Sequence, residues 1–416
     1  MKKKRAVITG IGPVTCIGIG KKDFWNAILA EKSGITDITH FDTTPFTAKT
    51  AGEVKDFDAT KFIPFQRLKR MDRYAQFAVV SALLALEDAN LKWSRENPQP
   101  RTGVSFGTAL GGISNAESQH VRFVEGGTKN VNQTLAVQVF GGSAHANIAI
   151  ECGFQGVGTT NSNSCASGTV AVGEALRYIR DGWADIIVAG GSEVPLSPLT
   201  FGAFDMIKSM SRSAPPQSCR PFDKNRNGFV MGEGAASLII EELEHALQRN
   251  AHIYAEVLGY SQNNDAFHMT SSREDGTAAI FAMRQALQDA GITPEQLDYI
   301  NAHASSTQMN DRNEAFCIHQ VFGERAKHIP VSGTKAYTAH PLGATGAIEA
   351  AICALAIDQS FIPPTLHHET TDESCGLDVV PNHGRKTDLS YVLSNSFGFG
   401  GINSCIVLGK YRPTTA

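Results

Sequence analysis

Strand-like and helix-like stretches alternate along the whole chain, and this alternation restricts the fold more than any other feature. "RAVITGI" reads as a strand and "KDFWNAILAEK" as a helix; "RYAQFAVVSALLALEDAN" is a long apolar helix and "TGVSFGTA" a strand. The pattern resumes later with "AHIYAEVLGYSQN" as a strand, "GTAAIFAMRQALQDAG" as a helix, and "LDYINAH" and "IPVSGTK" as strands. "GATGAIEAAICALAIDQ" is a further helix, and "DLSYVLSNS" and "INSCIVLGK" form a closing strand pair around "FGFGG". Alternation of this kind argues for an α/β fold, with parallel strands covered by helices. A chain of 416 residues has room for two or three domains or for one large α/β body. No Pro- or Ser-rich linker interrupts it. Two halves, 1–250 and 251–416, are therefore expected to share one body.

Composition removes several function classes. Hydrophobic residues make up 42% of the chain, enough for a large core. A formal net charge of −4 gives no support for nucleic-acid wrapping or a cationic membrane surface. No run of 18 or more apolar residues is evident, so no membrane span is expected. The basic start "MKKKRAVITGIG" leads into a short strand rather than a secretory apolar segment, so a cytoplasmic location is expected. The cysteines at 16, 152, 165, 219, 317, 353, 375 and 405 form no CxxC pair and no zinc-type spacing. "HHE" at His367–Glu369 reads as a surface loop.

Four stretches carry chemistry. In "SNSCASGTVAVGEALRYIRDGWADIIVAGGSE", Cys165 falls at the expected first turn of a helix and is followed by Ala166, Ser167 and Gly168. A helix N-terminus favours negative charge and lowers a thiol pKa, and its free N–H groups can hold a developing oxyanion. His303 closes "DYINAHASST" and His340 lies in "GTKAYTAHPLGATG", five residues after Lys335. Both histidines fall at strand ends, where α/β proteins place ligands. The turn in "SNSFGFGGINS" can bring backbone close to a ligand. The N-terminal "ITGIGPVTCIGIG" lacks the third glycine of a dinucleotide fingerprint, with Thr15 in its place, and reads as a structural turn.

In this order, these stretches resemble the β-ketoacyl-acyl-carrier-protein synthases of the thiolase superfamily, most of all the type II elongating enzymes. "LKRMDRYAQFA" and "RPFDKNRNGFVMGEGA" add to the resemblance, which runs over nearly the full length. It implies a five-layer α/β/α/β/α fold, in which two mixed five-stranded sheets sandwich a central helix pair. The half 1–250 would carry the nucleophile and the half 251–416 both histidines. It also implies decarboxylative condensation: Cys165 accepts an acyl chain as a thioester, malonyl carrier protein loses CO₂, and the carbanion attacks to lengthen the chain by two carbons.

The resemblance gives His303 and His340 the task of polarising the malonyl carbonyl, with Lys335 ordering the site and Asp311, Glu314 and Glu349 supporting it. The N–H groups of Cys165 and Phe399 would form the oxyanion hole, and Phe399 would gate the acyl pocket. Ser305 and Thr307 would contact pantetheine, and Arg67, Lys69 and Arg70 would dock the acidic carrier protein, with Arg73 on the same basic stretch. Asn301, Glu314 and Glu349 would surround a structural monovalent cation. No tightly bound cofactor is implied, since substrates arrive on the phosphopantetheine of acyl carrier protein. The partner subunit would be a second copy or a chain-length factor. The chain departs from the family's His-Gly-Thr-Ser-Thr at Ala304, from its Ser-Thr-Lys-Ser at Gly333 and Ala336, and from its Thr-Gly-His at Ala339, with Pro341 following. Ile402 replaces a threonine in "FGFGGTN". These departures leave chain length and pathway open between fatty-acid elongation and a type II polyketide or polyene system.

Overall fold

Five strands from each half of the chain assemble in the same order. The computed structural model describes residues 3–413. Its first half supplies β1 (Ala6–Thr15), β2 (Thr102–Gly107), β3 (Gly158–Asn161), β4 (Ile186–Glu193) and β5 (Gly234–Glu242). The second supplies β6 (Ala255–Asn264), β7 (Tyr299–Asn301), β8 (Val331–Ser332), β9 (Tyr391–Gly398) and β10 (Ile402–Gly409). Across the sheet the order is β8-β7-β9-β10-β6-β1-β5-β4-β2-β3. Counted outward from the middle, each half reads first, fifth, fourth, second, third. The first three of these pair antiparallel, and the fourth, second and third pair parallel.

Alternation had suggested parallel pairing. The antiparallel members include the β9–β10 hairpin, whose turn needs Gly400 (φ 86°) and Gly401 (φ 70°). The halves are not two separate sheets. Ala6–Ile8 pairs antiparallel with Ala255–Val257 and makes the hydrogen bonding continuous through the middle. The glycine-rich N-terminus is a hairpin, in which β1 turns back to pair with Gly18–Ile19.

Helices complete five layers. α1 (Arg73–Asp88) covers the outer face of the first half-sheet, and α3 (Thr277–Ala290) and α4 (Gln308–Phe322) that of the second. Between the half-sheets lie α2 (Ser167–Arg180) and α5 (Thr345–Gln359), packed on each other and on both. α5 is buried from Thr345 through Ile357 and is apolar over that span apart from Thr345 and Glu349, as suits a helix with no solvent face. The stretch Leu342–Gln359 has the length and mean hydropathy (1.2) of a membrane-crossing segment, but 89% of it is buried in the fold.

The two central helices touch backbone to backbone near their N-termini. A Cβ on Gly346 would lie 2.1 Å from Thr169 Oγ1, and one on Gly168 would lie 2.5 Å from Ala347 N. Gly346→Ala is therefore expected to separate the pair and destabilise the protein by about 1–3 kcal/mol, the cost of overpacking a tight core. A thermal melt of the variant would show it; an unchanged Tm would mean that the helices have slack there.

Candidate active site

Cys165 is held in a tight turn rather than in the helix itself. Ser164–Ala166 form a 3₁₀ turn, and α2 starts at Ser167. Ser164 takes a left-handed φ of 51°. The Ser167 hydroxyl braces the turn: it accepts from Asn163 N (2.8 Å) and lies 2.7 Å from Ser164 O and 3.0 Å from Thr108 O. The end of the β9–β10 hairpin closes over it. A Cβ on Gly398 would sit 3.1 Å from Cys165 N, so a larger residue would press on the turn by a few tenths of an ångström. Burial pushes the Cys165 thiol up to about 11, although the Lys335 charge and the Phe399 N–H pull it down; the Glu193 carboxylate adds to the rise. The sequence had suggested a thiol lowered by the helix N-terminus. Desolvation outweighs that effect.

The histidines face each other in the second half. His303 follows β7, and His340 lies between the short helix Lys335–Thr338 and α5. Their ring centroids are 5.4 Å apart at 79°. Both are buried. Lys335 Nζ is 3.3 Å from His303 Nδ1, donates to the His303 carbonyl, and pairs with Glu349 Oε1 at 2.6 Å. An ammonium only donates, so His303 Nδ1 accepts and the neutral ring carries its proton on Nε2. His340 Nδ1 is 2.8 Å from Thr345 Oγ1. Burial, and then the Lys335 charge, hold both imidazoles well below their ordinary value; His340 adds to the effect at His303.

Carboxylates hold the backbone around them. Glu314 accepts the N–H of His303 and of Ala304, each at 2.8 Å, and the Asn395 amide at 3.2 Å. Burial raises Glu314 and Glu349 to about 7. Asp311 lies apart from the rings. It accepts from Phe222 N (2.9 Å) and Ser306 N (3.1 Å), beneath the loop that carries Ser305 and Thr307. The fully buried Arg226 lies 3.4 Å from Asp311 and donates to the carbonyls of Thr307 and Gln308.

The departures from the family pattern have local explanations. Ala304 (φ 43°) and Ala339 (φ 59°, ψ −159°) occupy positive-φ backbone where the pattern has glycine, at a cost to alanine of about 1–3 kcal/mol. Room for the Ala304 methyl comes from Gly333, where any Cβ would lie 2.9 Å from it. The loss of a side chain at 333 and the gain of one at 304 are complementary. The Ala339 methyl packs on Gly52 and Gly232, whose own Cβ atoms would lie 2.9 and 3.1 Å away.

One cavity of about 460 Å³ brings together Cys165, His303, His340, Ser305, Thr307 and Phe399. Ser305 Oγ and Thr307 Oγ1 are 3.0 Å apart. Aromatic rings run from the hairpin to the histidines: Phe399 stacks on Phe204 (6.3 Å, 12°), Phe204 meets Phe229 (6.0 Å), and Phe229 meets His340 (5.7 Å). Arg67, Lys69 and Arg70 do not line the cavity. Arg67 is taken up by Glu151 at 2.5 Å and Arg73 by Glu233 at 2.8 Å, while Lys69 and Arg70 are exposed. Among the described residues, no trio of His, Cys, Asp or Glu side chains forms a metal-type cluster. Sequence reading passed over Phe229, Lys208, Asn395 and Glu193. The first two line the cavity or its mouth, and all but Lys208 fall inside stretches already singled out, where only their contacts give them meaning.

Comparison with known proteins fits this geometry. The profile for "Beta-ketoacyl synthase, N-terminal domain" matches residues 3–246, and that for "Beta-ketoacyl synthase, C-terminal domain" matches residues 254–369. The chain belongs to the β-ketoacyl synthase family. It is 40% identical to the 3-oxoacyl-[acyl-carrier-protein] synthase 2 of Staphylococcus aureus over 412 residues, 99% of each chain, and equally similar to that of Coxiella burnetii. Among solved structures, a type II polyketide ketosynthase bound to a hexaketide and in complex with its acyl carrier protein superposes with a TM-score of 0.91 at 36% identity, over 99% of this chain and all of that one. The ishigamide ketosynthase/chain length factor gives the same TM-score at 34% identity, with the same coverage. The five-layer thiolase-type fold expected from the sequence is therefore that of this synthase.

The histidine environment fixes a pH response. A group held below its ordinary value stays neutral as pH falls through about 6.5, so the histidines should contribute no acid limb to synthase turnover there. Lys335→Met removes a neighbouring cation, makes imidazolium less unfavourable and raises the His303 pKa. Its acid limb should move toward neutral pH. Profiles of turnover against pH for both proteins check this, and coincident acid limbs would exclude Lys335 as a cause of the low value.

Proposed function

We propose that this β-ketoacyl synthase extends an acyl chain by two carbons through decarboxylative condensation with malonyl-acyl carrier protein. The observation that carries the reading is the shared cavity, in which a thiol meets two buried neutral imidazoles. Cys165 attacks the incoming acyl thioester and expels the phosphopantetheine thiol, splitting one hard step into two. With its thiol near 11, attack is coupled to loss of the proton, which the departing phosphopantetheine thiolate takes up. The N–H groups of Cys165 and Phe399 face the tetrahedral oxyanion. On malonyl binding, His303 Nε2–H and His340 polarise the thioester carbonyl, CO₂ leaves, and the enolate carbon attacks the acyl carbonyl, breaking its bond to sulfur and releasing the Cys165 thiolate. Donors fixed in a desolvated site favour the charged transition state without reorganising. Lys335, Glu314 and Glu349 hold the rings, and Asp311 holds the loop whose Ser305 and Thr307 meet the pantetheine arm.

We read the site as needing no tightly bound organic cofactor, because nucleophile, electron sink and leaving group come from side chains and substrates. A structural monovalent cation held by Asn301, Glu314 and Glu349 is supported by three buried oxygens without a protein partner: Asn301 Oδ1, Glu349 Oε2 and Ser394 Oγ. For docking, exposed Lys69 and Arg70 are better placed to meet an acidic carrier protein than Arg67, which Glu151 already neutralises. The division at about residue 250 into a nucleophile half and a histidine half is supported by the repeated strand order. A cytoplasmic location follows the sequence reading. Pairing with a second copy suits the relatives named 3-oxoacyl-[acyl-carrier-protein] synthase 2. Pairing with a chain-length factor suits the polyketide ketosynthases, and the shifts at Ala304, Gly333 and Ala339 favour keeping that second reading. Mass spectrometry of products from carrier-bound acyl chains of graded length reads the chain length and with it the pathway.

Two tests follow. Phe399→Ala should open the acyl side while keeping the backbone donor, so chain-length preference changes and Cys165 is still acylated. Loss of acylation in a folded variant would remove Phe399 as the gate. Cys165→Gln should end elongation yet keep or raise CO₂ release, since its amide mimics the acyl-cysteine carbonyl. His303→Ala should lower CO₂ release by about 10²–10³-fold, the usual loss for one oxyanion donor. Measuring acyl transfer and CO₂ release separately tests this division; equal loss of CO₂ release in both variants would reject it.

A further inference from the structure

Glu193 is fully buried at the end of β4, outside the cavity, and its two oxygens are saturated. Oε2 accepts from Ala109 N (2.6 Å) and Gly343 N (3.0 Å), and Oε1 from Leu110 N (3.0 Å) and Thr108 Oγ1 (3.2 Å). These donors belong to two segments. Thr108–Leu110 follows β2, and the Thr108 carbonyl lies 3.0 Å from Ser167 Oγ, the hydroxyl that braces the Cys165 turn. Gly343 lies in the turn between His340 and Thr345, the residue beside its ring nitrogen. That turn is strained, with Leu342 at φ 34°, and it is wedged tightly. A Cβ on Gly343 would lie 2.3 Å from Ala109 N and 2.7 Å from Glu193 Oε2.

We infer that Glu193 is a positioning residue that sets the spacing between Cys165 and His340, one carboxylate tying the nucleophile's turn in the first half to the histidine's turn in the second. The inference rests on the roles given above to Cys165 and His340. A carboxylate is suited to the task because it only accepts. Its oxygens offer about four lone-pair sites, and four donors converge on them. An amide of the same shape would turn an NH₂ group toward N–H groups that have no other partner. Glu193 also acts on the thiol by charge. The ionisable groups that feel it are Cys165 and, from α1, Tyr74, with Lys335 the cation acting on the same thiol.

The two effects separate in two variants. Glu193→Gln disturbs the clamp and removes the charge. Glu193→Asp keeps the charge but is one methylene too short to reach all four donors. For Glu193→Gln, kcat for CO₂ release from malonyl carrier protein should fall by about 10–100-fold, the scale of a small misplacement in a catalytic site, with KM nearly unchanged. The pH profile of Cys165 alkylation by iodoacetamide should move to lower pH. For Glu193→Asp, kcat should fall while the alkylation profile stays in place. A general loss of packing would not produce this split. Circular dichroism and a thermal melt accompany both, and if Glu193→Gln is not recovered folded, the Glu193→Asp kinetics carry the test. Unchanged kcat in a folded variant, or a defect confined to KM, would overturn the inference. A wild-type enzyme that releases no CO₂ would instead overturn the functional reading beneath it.

Discussion

The site depends on two helices meeting without side chains between them. Gly168 and Gly346 let α2 and α5 approach within backbone contact just after the turns that carry Cys165 and His340. Any larger residue at this crossing would move one turn relative to the other. Reach between a thiol and an imidazole is a matter of tenths of an ångström to an ångström. The crossing therefore fixes the chemistry as well as the core. α5 is buried along almost its whole length, so it has no solvent face along which to slide.

Around this crossing the protein buries an unusual amount of charge. Glu193, Glu314, Glu349 and Asp311 are all inaccessible, and each is raised by burial. Three of the four spend their oxygens mainly on backbone N–H groups, so they act as fasteners for loops that lack regular structure. Glu349 differs, since it faces the Lys335 ammonium. That single cation reaches the thiol, both histidines and one carboxylate, favouring the thiolate and disfavouring imidazolium. Its placement lets a thiol and two neutral imidazoles coexist in one desolvated cavity.

Much of this was legible in the sequence. Cys165, His303, His340 and Lys335 stand in short stretches poor in large side chains, where a reactive group has little packing role, and the strands and helices follow from local periodicity. What was not legible depends on contacts distant in sequence. Glu193 looks like the last residue of a strand until Gly343, 150 positions away, is found on its carboxylate. Arg67 and Arg73 read as members of a basic face until Glu151 and Glu233 are seen to neutralise them. Continuity of the sheet was also hidden, because it rests on three residue pairs between the first strands of the two halves, about 250 positions apart. The thiol pKa was misjudged because the order of a nearby helix is local information, whereas desolvation is set by everything that surrounds the sulfur.

The repeated strand order has a consequence for how the site is composed. In the first half, α2 connects the third strand of the unit to the fourth; in the second, α5 makes the same connection. Cys165 and His340, just ahead of these helices, therefore occupy the same station in two copies of one architectural unit. The two stations hold unlike residues, so a thiol from one half meets an imidazole from the other, where a site built from two identical units would set like against like.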